Sequence, residues 1–114
     1  MARIELTRSF VRQLSKRFSE HEANKVLDLI ETLEDTPRKG KTLGNIGSVV
    51  IKELKYKKFR FYFLVDGWSL KCVDEEHLKD LLLRFVRMSD KKRQQQTLDE
   101  IKNILVRIGP NGFE

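Results

Sequence analysis

The stretch Val49–Val65 restricts the fold more than any other part of the chain. It contains two runs rich in β-branched and aromatic residues, roughly 48–56 and 59–65, on either side of Lys57-Lys58. Two such runs around a short polar link predict a strand–turn–strand unit, although the link lacks the usual Gly or Asn. Lys52, Glu53, Lys55, Lys57, Lys58 and Arg60 all lie within it. A central hairpin this basic is either a solvated face or a phosphate-binding surface.

At 114 residues the chain is expected to form a single domain over 1–114, with one modest core. The formal net charge is +6, with 35% charged and 39% hydrophobic residues, which favours polyanionic partners. Basic residues gather at Arg38–Lys41, Lys52–Arg60 and Arg84–Arg93, while acidic ones concentrate at Glu20–Asp35 and Asp74–Glu76. That segregation predicts a two-sided molecule. No apolar window is long enough to span a membrane, and the first residues show no apolar signal core, so a cytoplasmic protein is expected. Cys72 has no partner cysteine, and a single Cys with two distant His is too little for a zinc site. No metal and no cofactor are expected.

Taken in order, Arg3–Thr7 reads as a first strand and Arg8–Phe18 as a helix, with Phe10, Val11, Leu14 and Phe18 at helical spacing. Ser19 with Glu22 has the form of a capping box opening a second helix, which Pro37 ends by Thr36. Arg38–Gly47, with its glycines and basic residues, reads as a loop. After the central hairpin, Asp66-Gly67 signals a turn, Trp68–Val73 a third run and Asp74–His77 an acidic connection. Leu81–Met88 is a further strand. Thr97 with Glu100 repeats the capping-box form ahead of a last helix, which carries Leu98, Ile101, Ile104, Leu105 and Ile108 and stops at Gly109-Pro110. The order β-α-α-β-β-β-β-α predicts the α+β class: an antiparallel β-sheet, an N-terminal helical hairpin packed on one face, and a C-terminal helix.

Four strings in this order resemble the RelE/ParE toxin superfamily, and within it the RelE- and HigB-like mRNA interferases. They are Ile4–Thr7 followed by Phe10; Leu33 through Thr36-Pro37-Arg38-Lys39-Gly40-Lys41-Thr42-Leu43; Glu53-Leu54-Lys55 followed by Phe59-Arg60-Phe61-Tyr62; and Leu81–Arg93 with the Thr97–Glu100 helix start. The resemblance implies a RelE-like fold and a toxin of a type II toxin–antitoxin system. It implies a ribosome-dependent, metal-independent endoribonuclease that cuts mRNA and inhibits translation, neutralised by a cognate antitoxin protein. The family's late Tyr or His has no counterpart after His77. That departure favours the alternative of a RelE/ParE-fold protein without nuclease activity, either a ParE-type gyrase inhibitor or a basic RNA-binding module.

Cleavage of RNA without metal needs a base for the 2′-OH, cations for the charge growing on phosphorus, and an acid for the leaving 5′-oxygen. Arg60 and Arg87 match the family's functional arginines by resemblance, and the guanidinium fork suits a phosphate. Glu53, or a lysine of lowered pKa, is the candidate base and Tyr62 a weaker candidate acid. Lys52, Lys55, Lys57, Lys58, Arg84, Lys91 and Lys92 are candidate RNA contacts. Each has a plainer reading: the lysines as a solvated face, Glu53 as an ion-pair partner for Arg60, and Tyr62 as core. Alternation along the second run places Phe59, Phe61 and Phe63 on one sheet face, with Arg60, Tyr62 and Leu64 on the other.

Overall fold

The computed structural model describes residues 2–67, 70 and 81–113. Strand β1 (Arg3–Leu6) leads into helix α1 (Arg8–Arg17) and helix α2 (Glu20–Glu31). Both helices start where a hydroxyl can take an unpaired backbone N–H. Thr7 accepts from the Phe10 N–H, and Ser19 accepts from the Glu22 N–H at 3.2 Å. Glu22 does not close the predicted capping box. Its carboxylate accepts from the Tyr56 hydroxyl at 2.6 Å and the Lys57 ammonium at 2.8 Å instead.

Four strands follow among the described residues: β2 (Lys41–Ile46), β3 (Val49–Tyr56), β4 (Phe59–Asp66) and β5 (Leu82–Asp90). A 3₁₀ turn (Lys91–Arg93) then opens helix α3 (Gln94–Arg107). The sheet order is β1-β5-β4-β3-β2. The central hairpin forms as predicted, with Tyr56 opposite Phe59 and Lys57-Lys58 as the link. Lys57 takes the left-handed conformation, φ 53°, that Gly or Asn would usually fill. That conformation strains an L side chain, and the Lys57 ammonium is anchored there on Glu22 at 2.8 Å.

The α+β class holds, with four differences in detail. The segment 41–46, predicted as loop, is an edge strand. It is half-exposed and carries a register shift between Thr42 and Gly44, so it lacks the alternation that marks a buried strand. Gly40, at φ 104°, lets the chain enter this strand, where a Cβ would stand 3.0 Å from the Glu53 carbonyl. Second, β1 runs parallel to β5, so the sheet is mixed rather than wholly antiparallel. Third, α3 starts at Gln94 and not at Thr97. Asp90 caps the lead-in turn by accepting the Arg93 N–H at 3.0 Å, and Thr97 is buried inside the helix.

The fourth difference concerns which faces are covered. Phe10, Phe61, Phe63, Phe85, Val26 and Ile30 form a core between the helical hairpin and one face of the sheet. Ile51, Tyr62, Leu64 and Val86 are buried on the other face by Ile101 and Leu105 of α3 and by Phe113. The alternation read from β4 is therefore right, but the face carrying Arg60 and Tyr62 is not open. Residues 60 to 65 are all buried, as expected for a strand covered on both sides. The third run at Trp68–Val73, the acidic connection at Asp74–His77 and Cys72 lie outside the described residues.

Candidate functional site

Helix α3 covers only part of its sheet face. Near its N-terminus it leaves a groove of about 380 Å³, floored by Glu53 of β3 and Tyr62 of β4 and walled by Lys91, Lys92, Gln94 and Leu98. Strand register sets the floor. Lys41, Glu53, Tyr62 and Arg87 pair in one row across four strands. This places a carboxylate beside a phenol, with cationic residues at both ends of the row.

The Glu53 carboxylate is held from two sides. One oxygen lies 3.8 Å from Arg60 Nε, and the other accepts a hydrogen bond from Gln94 Nε2 at 3.0 Å. The Tyr62 hydroxyl lies 2.7 Å from Ser89 Oγ. Ser89 donates its proton to the Asp90 carbonyl, so the Tyr62 O–H must be the donor between the two hydroxyls. Burial, chiefly, raises the Tyr62 pKa, and the Glu53 charge adds to the rise against the opposing pull of Ser89. The rise holds the phenol proton more tightly, and that O–H is engaged with Ser89. Ser89 and Gln94, which orient the two groups, left no signal in the sequence, because each meets its partner only through the folded sheet and α3.

The candidate cations divide sharply. Arg60 is buried and donates to the Phe59 carbonyl at 3.0 Å and the Lys57 carbonyl at 3.4 Å besides facing Glu53. Arg87 is spoken for as well. Its Nε donates to Glu100 at 3.0 Å, its Nη1 donates to Ser9 and to the Val86 carbonyl, and the guanidinium stacks over Phe113. Both arginines act as internal ties rather than open phosphate forks. Arg84 donates to the Pro110 carbonyl at 2.6 Å and the Phe113 carbonyl at 3.1 Å. Its buried Nε makes no hydrogen bond, with the Glu5 carboxylate 3.6 Å away.

Lys52 is separated from the rest. It points to the helical-hairpin side of the sheet, is 2% exposed, and donates to the Arg38 carbonyl at 2.8 Å. Burial, with the Arg38 charge added, pulls its pKa below the usual lysine value. In this position it does not reach the groove or the surface. Lys57 is tied to Glu22. Lys55, Lys58, Lys91 and Lys92 are exposed, with Lys58 resting over the Phe59 ring. Of the predicted RNA contacts, Lys91 and Lys92 alone line the groove. No cluster of His, Cys, Asp and Glu suited to a metal occurs among the described residues, and none of their helices is long and apolar enough to cross a membrane.

The likeness to known proteins is structural. No protein-family model matches the sequence, and no curated protein matches it in sequence. A chain of the archaeal RelE–RelB complex from Pyrococcus horikoshii OT3 superposes with a TM-score of 0.57 at 16% identity, covering 81% of this chain and 97% of that one. The isolated E. coli RelE toxin superposes at 0.50 with 11% identity, covering 92% and 100%. Identities this low speak for architecture alone. The chain carries the RelE fold.

Proposed function

We propose that this chain is a RelE-type toxin that cleaves mRNA on the ribosome, with a cognate antitoxin as its second partner. One observation supports the reading most: a carboxylate and a protonated phenol lie side by side on the floor of a groove whose rim carries two unpaired lysines. Lys91 and Lys92 hold the RNA phosphate there and offset the charge that grows on phosphorus. Glu53 accepts the 2′-OH proton, and Tyr62 supplies one to the departing 5′-oxygen. Arg60 serves as a positioning residue that fixes the Glu53 carboxylate, and Arg87 ties α3 to α1 at the groove's far end. Soluble, cytoplasmic action is part of this proposal.

A second reading is a RelE-fold binding protein without nuclease activity, acting on gyrase or on RNA. The neutralised arginines favour it, since Arg60 and Arg87 are both held by carboxylates. The experiment is inducible expression coupled to an mRNA cleavage assay in a translating extract. Growth arrest with cleavage that is lost in Lys91→Ala/Lys92→Ala and in Tyr62→Phe is the expected result. Gyrase inhibition without mRNA cleavage overturns the nuclease reading.

A further inference from the structure

The basic surface continues beyond the groove. On α1, Arg8, Arg12 and Lys16 recur every fourth residue, so they share one helix face at about 6 Å spacing along the axis. This face lies opposite the buried Phe10 and Leu14. All three side chains are exposed, and among the described residues none makes an ion pair or a hydrogen bond. Like charges at this spacing repel. The fold therefore maintains an unfavourable row that nothing within it neutralises.

The row extends across a cleft of about 310 Å³ that joins α1 to α3 over β5. Lys16 and Arg17 line one wall and Arg93 lies across from them, with Asp90 and Glu100 also at the surface of the cleft. Those carboxylates are already engaged: Asp90 pairs with Arg17 and caps Arg93's own N–H, and Glu100 pairs with Arg87. Lys16 and the Arg93 side chain stay uncompensated. Arg93 shares its 3₁₀ turn with Lys91 and Lys92, which face the groove, so the turn joins two cationic surfaces at the end of β5.

We propose that Arg8, Arg12, Lys16 and Arg93 form a docking face for the phosphate backbone of a double-helical nucleic acid. Among the described residues the large exposed apolar side chains are Val11, Leu82, Val106 and Ile108, with no aromatic ring. Single strands are gripped by stacking bases on aromatic rings, whereas duplexes present phosphates and keep their bases inside. A row of cations on one helix face without a stacking platform therefore suits the duplex, and binding through it is independent of sequence and strongly dependent on salt. This surface is distinct from the groove, and it rests on the toxin reading only in the choice of RNA as first probe.

The test is fluorescence anisotropy of the full chain with a labelled RNA duplex and a DNA duplex of the same sequence, titrated against salt. The wild type is expected to bind, and Arg8→Ala/Arg12→Ala/Lys16→Ala to lose about one unit of salt slope for each cation removed. Tighter RNA binding identifies RNA as the natural source of the backbone, and equal binding supports recognition of the shared phosphates. Arg8→Lys/Arg12→Lys keeps the charge and is expected to keep the slope; losing it there as well overturns the proposal. So does a wild type that binds neither duplex, or a triple variant that binds like the wild type. Absence of mRNA cleavage overturns the nuclease reading alone, because the variants on the helix face leave the groove residues unchanged.

Discussion

Arg60 Nε stands 3.8 Å from the Glu53 carboxylate, and each side chain is only 8% exposed. The pair bridges β3 and β4 beneath the groove, with the Glu53 carboxylate also accepting from Gln94 at the start of α3. Removing one member of a buried ion pair leaves the other charge without solvent or counter-charge, which costs about 3–5 kcal/mol. Arg60→Ala is therefore expected to lose about 3 kcal/mol in urea unfolding, and the Glu53→Leu/Arg60→Met double variant to recover most of it. An equally unstable double variant would mean that the pair does not act as a unit. The same comparison separates loss of activity through instability from loss through chemistry.

Tyr62 offers a cleaner test of the groove. Tyr62→Phe removes a single hydroxyl, leaving Ser89 bonded to the Asp90 carbonyl, and is expected to cost about 1 kcal/mol of stability. If the phenol gives a proton to the leaving oxygen, cleavage of mRNA falls by about 10²–10⁴-fold in a chain that still folds. Cleavage within a few-fold of wild type would remove Tyr62 from the reaction.

Lys52 buries an ammonium whose one hydrogen bond is to the Arg38 carbonyl, over the ring of Phe63. Its folded pKa is lowered, so the unfolded chain binds the proton more tightly, and stability rises with pH between the folded value and the ordinary 10.5. Lys52→Met should be at least as stable as wild type at neutral pH by thermal unfolding. Its advantage should shrink as the pH climbs toward 10.5. A variant much weaker than wild type at every pH would show that the bond to Arg38 outweighs the cost of burying the charge.

Glu22 carries a pH dependence of the same sign in a lower window. The bonds from Lys57 and Tyr56 lower its folded pKa, in that order of weight. The resulting stability is present above the ordinary value of 4.5 and is lost as pH falls through the lowered one. Glu22→Gln should therefore melt below wild type at neutral pH and converge with it in acid. The Lys57 turn should loosen with it, which amide exchange at Lys57 and Lys58 reads directly.

Much of the architecture was legible along the chain because local patterns report local structure. Phe10 and Leu14, Val26 and Ile30, and Ile101 and Leu105 mark their helices by spacing, and the alternation of Phe61 and Phe63 against Tyr62 and Leu64 is borne out on both faces. What was hidden depends on contacts between distant residues. The segment 41–46 becomes a strand because β3 offers it a free edge, and its own apolar signal is weak. Glu22 matches a capping box in sequence, yet Tyr56 and Lys57 draw its carboxylate away. The hairpin itself offered Glu53 as a partner for Arg60, and the fold makes that pair. Glu100, which holds Arg87, comes from the last helix, and a one-dimensional string contains no record of that pairing.

Strand β1 is hydrogen-bonded along one side to β5 alone, with Arg3 opposite Leu82 and Leu6 opposite Phe85. On a ribosome the first strand thus emerges long before the strand that receives it. Until β5 arrives, Phe10 lacks Phe85, the ring it packs against at 5.5 Å, and the Thr7 hydroxyl that caps α1 lacks its carbonyl at Phe85. Contacts this distant in sequence close slowly, because the intervening loop must be ordered first. The opening helical hairpin is consequently the part of the nascent chain that waits longest for its sheet.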